Sequence, residues 1–160
     1  AAALLAPGAW VIHCDGSAWP NPGRMGLGAV LKRPDGTEQH QISEATTFTG
    51  CNNEAELHAL MLALQWLAQQ DIAASSPVHV FSDNSVLVEQ LGGHPKAPIE
   101  RLATLFDEAR EALRRFPQAQ VQWIPRHRNG AADMLARAAL GLAPKAATPQ
   151  GQTIKKRGRR

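Results

Sequence analysis

The sequence predicts an α/β layer fold: a small sheet that opens with a hairpin and is extended by strands reached through helices. Three observations carry this. Apolar runs on both sides of the Gly/Pro/Asn-rich stretch Gly16–Gly23 read as a β-hairpin. Leu57, Leu60, Leu62, Leu64 and Leu67, with Ala59, Ala63 and Trp66, make the next helix apolar around most of its girth, as a helix packed on a sheet must be. Further on, short apolar runs at 77–83 and 120–125 alternate with helical patterns. With 160 residues and 44% hydrophobic content, one domain with a real core is expected.

In chain order, residues 1–8 are apolar but lack the basic region of a signal peptide and are expected to form a loose arm. The first strand ends on Asp15, so that a carboxylate points out where the backbone is fixed. Glycines at 16, 23, 26 and 28 allow another backbone or a ligand to approach closely. The turn Pro34-Asp35-Gly36 leads into a third antiparallel strand over 37–46, polar enough for a sheet edge. A loop over 49–53 enters the buried helix. The strand 77–83 ends on Asp83, Asn84-Ser85 caps a helix through Leu91, and Gly92-Gly93 stops it. An amphipathic helix spans 98–116 with Leu102, Leu105, Phe106, Ala109 and Leu113 on one stripe. The strand 120–125 follows, and Asn129 caps a last helix carrying Asp133, Leu135, Ala136, Ala139 and Leu140.

The expected organisation is therefore an arm (1–8), one domain (9–142) and a flexible basic tail (143–160). The chain has 17 basic against 14 acidic residues. Five of the bases lie in 155–160, so the rest holds 12 against 14, a net of −2. Such a tail favours nucleic acid in a salt-dependent way, or serves only solubility. No apolar run approaches the roughly 18 residues of a membrane span. Cys14 and Cys51 lack metal-type spacing and read as buried free thiols, which points to a reducing, cytoplasmic setting.

Asp15 and Asp83 end strands, while Glu56 and Asp133 fall in the first turns of helices. Chemistry in open α/β sheets collects outside the carboxyl ends of strands, so all four acids can converge on one edge. Each has a plainer explanation: Glu56 closing a capping box, Asp133 favoured by the helix dipole, Asp83 belonging to a capping turn. Jointly, four carboxylates in one place repel unless cations hold them. An all-oxygen set suits Mg²⁺ or Mn²⁺, and no His/Cys group suggests zinc.

The motifs Asp15-Gly16-Ser17, Asn21-Pro22-Gly23-x-x-Gly26-x-Gly28, Asn52-Asn53-x-x-Glu56-Leu57, Ser82-Asp83 and Ala132-Asp133-x-Leu135-Ala136, in this order, resemble type-I ribonuclease H over roughly 10–140. The resemblance implies a five-stranded mixed sheet, strands one to three antiparallel, with helices on both faces. It also implies a monomeric Mg²⁺-dependent endonuclease without organic cofactor. Such an enzyme cuts the RNA strand of an RNA–DNA hybrid, leaving 5′-phosphate and 3′-hydroxyl ends. Carried over, Asp15, Glu56, Asp83 and Asp133 are the catalytic metal ligands, Asp15 bridging two ions, with Mn²⁺ able to substitute. Gly16, Ser17, Asn21, Asn52 and Asn53 match positions that contact the hybrid, and either Asn52 or Asn53 also caps its helix.

The chain departs from the family in three respects. Only nine residues, 124–132, separate the last strand from Asp133, a compact loop in which His127 is the candidate for proton transfer or product release and Arg126 for phosphate contact. The basic helical protrusion of some members is missing, which leaves the tail, or nothing, to replace it. Cys51 stands where the family often has threonine. Trp66 and Trp123 read as core and Trp10 as half covered, whereas Trp19 anchors its loop or meets nucleic acid. Two rivals remain open: a hybrid- or RNA-binding module without turnover, and a nuclease of the same fold with another substrate.

Overall fold

In a computed structural model, which describes residues 7–72, 75–92 and 100–143, the chain folds around one five-stranded sheet. The elements are β1 (Trp10–Trp19), β2 (Gly23–Lys32), β3 (Glu38–Gly50), α1 (Asn52–Ala68), β4 (Val78–Ser82), α2 (Ser85–Leu91), α3 (Ala103–Arg114), β5 (Ala119–Trp123) and α4 (Gly130–Ala139). Single 3-10 turns at Glu100–Leu102 and Arg126–Arg128 precede α3 and α4. The strand order is β3-β2-β1-β4-β5, antiparallel from β3 to β1 and parallel from β1 to β5. The mixed sheet and the edge position of β3 are as the sequence predicts. The expectations for 1–6, Gly93, Pro98 and 144–160 lie outside the described residues.

The two sheet faces are covered differently. On one, α1 lies against β1 so closely that a Cβ at Gly16 would stand 2.3 Å from the carbonyl carbon of Ala55. Ala55, Ala59 and Ala63 recur every fourth residue and are fully buried, which lets the helix sit near the strands. Leu60, Leu64 and Leu67 fill the space between them and Ile12, Met25, Leu31 and Val80. A smaller cluster of Leu57, Leu87, Leu102, Phe106 and Ala109 ties α2 and α3 to the outer side of α1. On the opposite face α4 crosses β2, where a Cβ at Gly28 would meet the Ala132 carbonyl oxygen at 2.3 Å.

Several expectations are corrected. Asp15 does not end its strand: β1 runs on to Trp19, and Asp15 pairs with Gly28 in mid-ladder. What ends there is the parallel pairing, whose last partners are His13 and Phe81. The third strand extends beyond 46 to Gly50, because after an irregularity it resumes pairing, Thr49 with Arg24 and Gly50 with Gly23. That absorbs the start of the expected 49–53 loop. The third helix is shorter than 98–116, beginning as a 3-10 turn and ending at Arg114. Trp123 is not core: it stands on the edge strand β5 and is 53% exposed. Trp10, expected half covered, is buried, and Trp66 is only partly so. Cys14 is buried as expected, but Cys51 is half-exposed.

The Gly28–α4 approach gives a stability test. Gly28→Ala has no room without moving the helix backbone, so a loss of about 3 kcal/mol in denaturant unfolding is expected. A change below about 1 kcal/mol would show that α4 does not sit on β2 as described.

Candidate active site

β1 outruns its parallel neighbour, and this builds the site. Asp15 and Asp83 each lie two residues past the last β1–β4 pair, so they flank the cleft where the two strands part. Glu56 enters from the first turns of α1, which Gly16 admits to within contact of β1. One carboxylate oxygen from each of Asp15, Glu56 and Asp83 can be chosen so that all lie within 4.8 Å of one another. Asp133, from the first turn of α4, is hydrogen-bonded to Asp15 from the other face. Asp15, Glu56 and Asp133 are buried.

Removing such acids from water and placing them together disfavours their charged forms. Burial first, then the charges of Glu56 and Asp83 and the hydrogen bond with Asp133, push the Asp15 carboxyl up to about 9. Burial and Asp83 push Glu56 up to about 8, against hydrogen bonds from Asn84 and Ser82 and the charge of Arg126. The thiol of Cys14, buried beside them, is also raised by burial and the neighbouring carboxylates. An all-oxygen donor set that is strained without a counter-charge fits a hard divalent cation. Asp15, Glu56 and Asp83, with Asp133 at their side, are the residues able to hold one.

The groups that orient these acids are neutral. Ser82 Oγ donates to Glu56 Oε1 at 3.2 Å, and Asn84 Nδ2 donates to Glu56 Oε2 at 3.2 Å. Asn129, 1% exposed, donates from Nδ2 to the Cys14 carbonyl oxygen at 2.9 Å and to Asp83 Oδ2 at 3.3 Å. Its backbone carbonyl oxygen accepts the Asp133 backbone N–H at 3.1 Å. The Trp123 indole N–H reaches the Asp83 carbonyl oxygen at 3.3 Å. An amide or hydroxyl fixes a carboxylate without supplying the charge that a metal would supply.

Asn84, Asn129 and Trp123 are missing from the sequence reading as site residues. Asn84 does cap α2, its Oδ1 accepting from Val86 and Leu87, but its Nδ2 is free to serve the site. Asn129 occupies the N-cap position of α4 without a side-chain cap bond, its amide being turned to β1 and Asp83 instead. Neither Asn52 nor Asn53 caps α1. Cys51 holds that position, and its backbone N–H bonds Glu54 Oε1 at 2.9 Å. Glu54 therefore fills the capping role that the sequence offered to Glu56, which is left for the cluster.

Of the asparagines expected to meet a ligand, Asn21 and Asn52 tie the hairpin to the start of α1, and Asn53 reaches the start of α2. Asn52 Oδ1 accepts from the Ala18 backbone N–H at 2.8 Å, and Asn21 Oδ1 from the Asn52 backbone N–H at 3.1 Å. Asn53 Oδ1 accepts from Asn84 Nδ2 at 2.6 Å. Each Oδ1 already accepts one hydrogen bond, so a ligand can still meet a second lone pair or the Nδ2 donors. Gly16 is buried under α1 and Ser17 half-buried, both next to Asp15. Arg126 and His127 lie on the exposed turn before α4, Arg126 near enough to act electrostatically on Glu56. Trp19, 64% exposed, stands at the hairpin tip.

A family model described as reverse transcriptase-like matches residues 13–139. A bifunctional protein of Mycobacterium tuberculosis is 30% identical over 145 residues, 91% of this chain. The chain spans only 39% of the length of that relative. Among solved structures, ribonuclease H1 of the halophilic archaeon Halobacterium salinarum superposes with a TM-score of 0.76 at 29% identity, covering 84% of this chain and 98% of the other. LC11 ribonuclease H1 in complex with an RNA/DNA hybrid gives a TM-score of 0.75 at 30% identity, over 82% of this chain and 96% of that one.

The raised carboxyls yield a pH prediction. Native Asp15 and Glu56 hold protons more tightly than in the unfolded chain, which stabilises the metal-free protein below the usual carboxylate range. That contribution is lost as pH rises through about 8 to about 9. The metal-free Tm should therefore fall between about pH 5 and about pH 9, and less so in Asp15→Asn. Mn²⁺ should raise Tm more at the upper pH. Thermal unfolding that responds neither to pH nor to Mn²⁺ would contradict the cluster.

Proposed function

Since the chain belongs to the reverse transcriptase-like family of ribonuclease H-like domains, we propose that it is a metal-dependent endonuclease that hydrolyses the RNA strand of RNA–DNA hybrids. The products are 5′-phosphate and 3′-hydroxyl ends. The observation that supports this most is the convergence of Asp15, Glu56 and Asp83, with Asp133 bonded to Asp15, where β1 and β4 part. These four carboxylates would hold a pair of Mg²⁺ ions, with Mn²⁺ as substitute. Bound there, such ions lower the pKa of a coordinated water and neutralise charge on the phosphate.

The chain's own groups orient and bind. Ser82 and Asn84 fix both oxygens of Glu56, and Asn129 fixes Asp83. The donors left on Asn21, Asn52 and Asn53 suit an acceptor-rich backbone, including the 2′-hydroxyl oxygen by which RNA is told from DNA. Gly16 and Ser17 carry the backbone beside Asp15 past the substrate, and Arg126 meets a phosphate. His127, on the same exposed turn, serves proton transfer or product release. We take residues 9–142 as the catalytic unit and the five bases of 155–160 as a source of salt-dependent affinity. The protein acts as a monomer in the cytoplasm, where its two free thiols persist.

Two measurements test this reading. With Mg²⁺, a labelled hybrid should be cut in its RNA strand, while double-stranded RNA and double-stranded DNA stay intact and EDTA stops the reaction. Tight binding without cutting, even in Mn²⁺, would make the chain a binding module, and cutting of another duplex would discard the substrate. Asp15→Asn should abolish cleavage while keeping the fold, with a metal-free Tm no lower than wild type because it removes a buried acid that its neighbours repel. Retained turnover in that variant would sink the assignment.

A further inference from the structure

We infer that Asn84 is a positioning residue that couples Glu56, on the ion side, to Asn53, on the hybrid side. The inference rests on the roles proposed above for those two residues. A helix cap needs only the Asn84 Oδ1, which accepts from Val86 N–H at 3.0 Å and Leu87 N–H at 3.2 Å. Its Nδ2 does more, donating to Asn53 Oδ1 at 2.6 Å and to Glu56 Oε2 at 3.2 Å. The Asn84 backbone N–H also donates to Ser82 Oγ at 3.1 Å, and that hydroxyl donates to Glu56 Oε1. Both oxygens of Glu56 are thus tied to the segment Ser82–Asn84, and the same amide grips Asn53.

The geometry has two consequences. The amide is anchored at its far end by α2, whose Leu87 is fully buried, so it has a fixed position from which to orient two partners. A neutral donor is also the choice that leaves Glu56 charged towards an ion, where a lysine or arginine would compete with it. Hybrid that orders Asn53 through its free Nδ2 orders Asn84, and with it Glu56. Ion binding at Glu56 acts in the reverse direction, by the reciprocity of linked sites.

The test is Asn84→Ser, which keeps a capping oxygen but removes both amide donors. Unchanged thermal unfolding shows that α2 survives. Mn²⁺ affinity by calorimetry should fall about tenfold, in the range of outer-shell partners of metal ligands. KM for hybrid should rise several-fold, with kcat at saturating Mn²⁺ and hybrid changed far less. Asn53→Ala should raise KM in the wild-type background and add little on top of Asn84→Ser, since both break one coupled pair. Wild-type Mn²⁺ affinity in Asn84→Ser, or fully additive effects on KM, would overturn the coupling. If the wild-type chain cuts no hybrid, the functional reading fails, and the calorimetric comparison alone still decides the link to Glu56. Should Asn84→Ser unfold, Asn84→Gly, tolerated at a helix N-cap, removes the donors without adding a charge, and additivity with Asn53→Ala in KM decides.

Discussion

Mutual repulsion among buried carboxylates is the constraint to which the rest of this structure answers. Two like charges about 4 Å apart cost about 4 kcal/mol at an effective dielectric of about 20. Asp15, Glu56 and Asp83 present oxygens within 4.8 Å of one another, and Asp133 adds a fourth carboxyl at Asp15. Burial, and after it this repulsion, raises the Asp15 and Glu56 carboxyls, so without a cation the cluster keeps protons. The partners of Glu56 and Asp83 orient without neutralising: a hydroxyl from Ser82 and amides from Asn84 and Asn129. The arrangement is shaped for a charge that the protein does not itself supply.

The fold delivers these acids by a mismatch of strand lengths. β4 has five residues and β1 ten, so β1 continues past the parallel ladder and brings Asp15 beside Asp83. Glycine is then required on both faces at this level. Gly16 lets α1 bring Glu56 to β1, and Gly28, the partner of Asp15, lets α4 bring Asp133. Each acid reaches the cluster from a different element, so packing on both sheet faces must be correct before the site exists. This links the stability of the layers to the geometry of the site.

The layer order and the carboxylate set were legible from apolar periodicity and from acids placed next to turns and helix starts, and the mixed sheet from the motifs shared with ribonuclease H. Side-chain alternation, however, cannot report where a neighbouring strand stops, so Asp15 looked terminal although it lies in mid-strand. Trp123 looked like core because an edge strand and a central strand share the same apolar pattern. Asparagine at a helix start has two uses that read alike. Asn84 both caps and reaches Glu56, whereas Asn129 abandons the cap to bridge Cys14 and Asp83 across 115 and 46 residues of sequence. Contacts at such range leave no local trace; the only hint was an asparagine directly after Asp83 and another one turn before Asp133.

The most direct measurement of the central claim is proton release on Mn²⁺ binding, taken by calorimetry near neutral pH in two buffers of different ionisation enthalpy. If the carboxylates are protonated for want of a cation, binding must expel at least about one proton per chain, and the observed heat must differ between buffers accordingly. Binding with no proton release would contradict the account, since it would mean that Asp15 and Glu56 are already charged and that something other than an ion stabilises them.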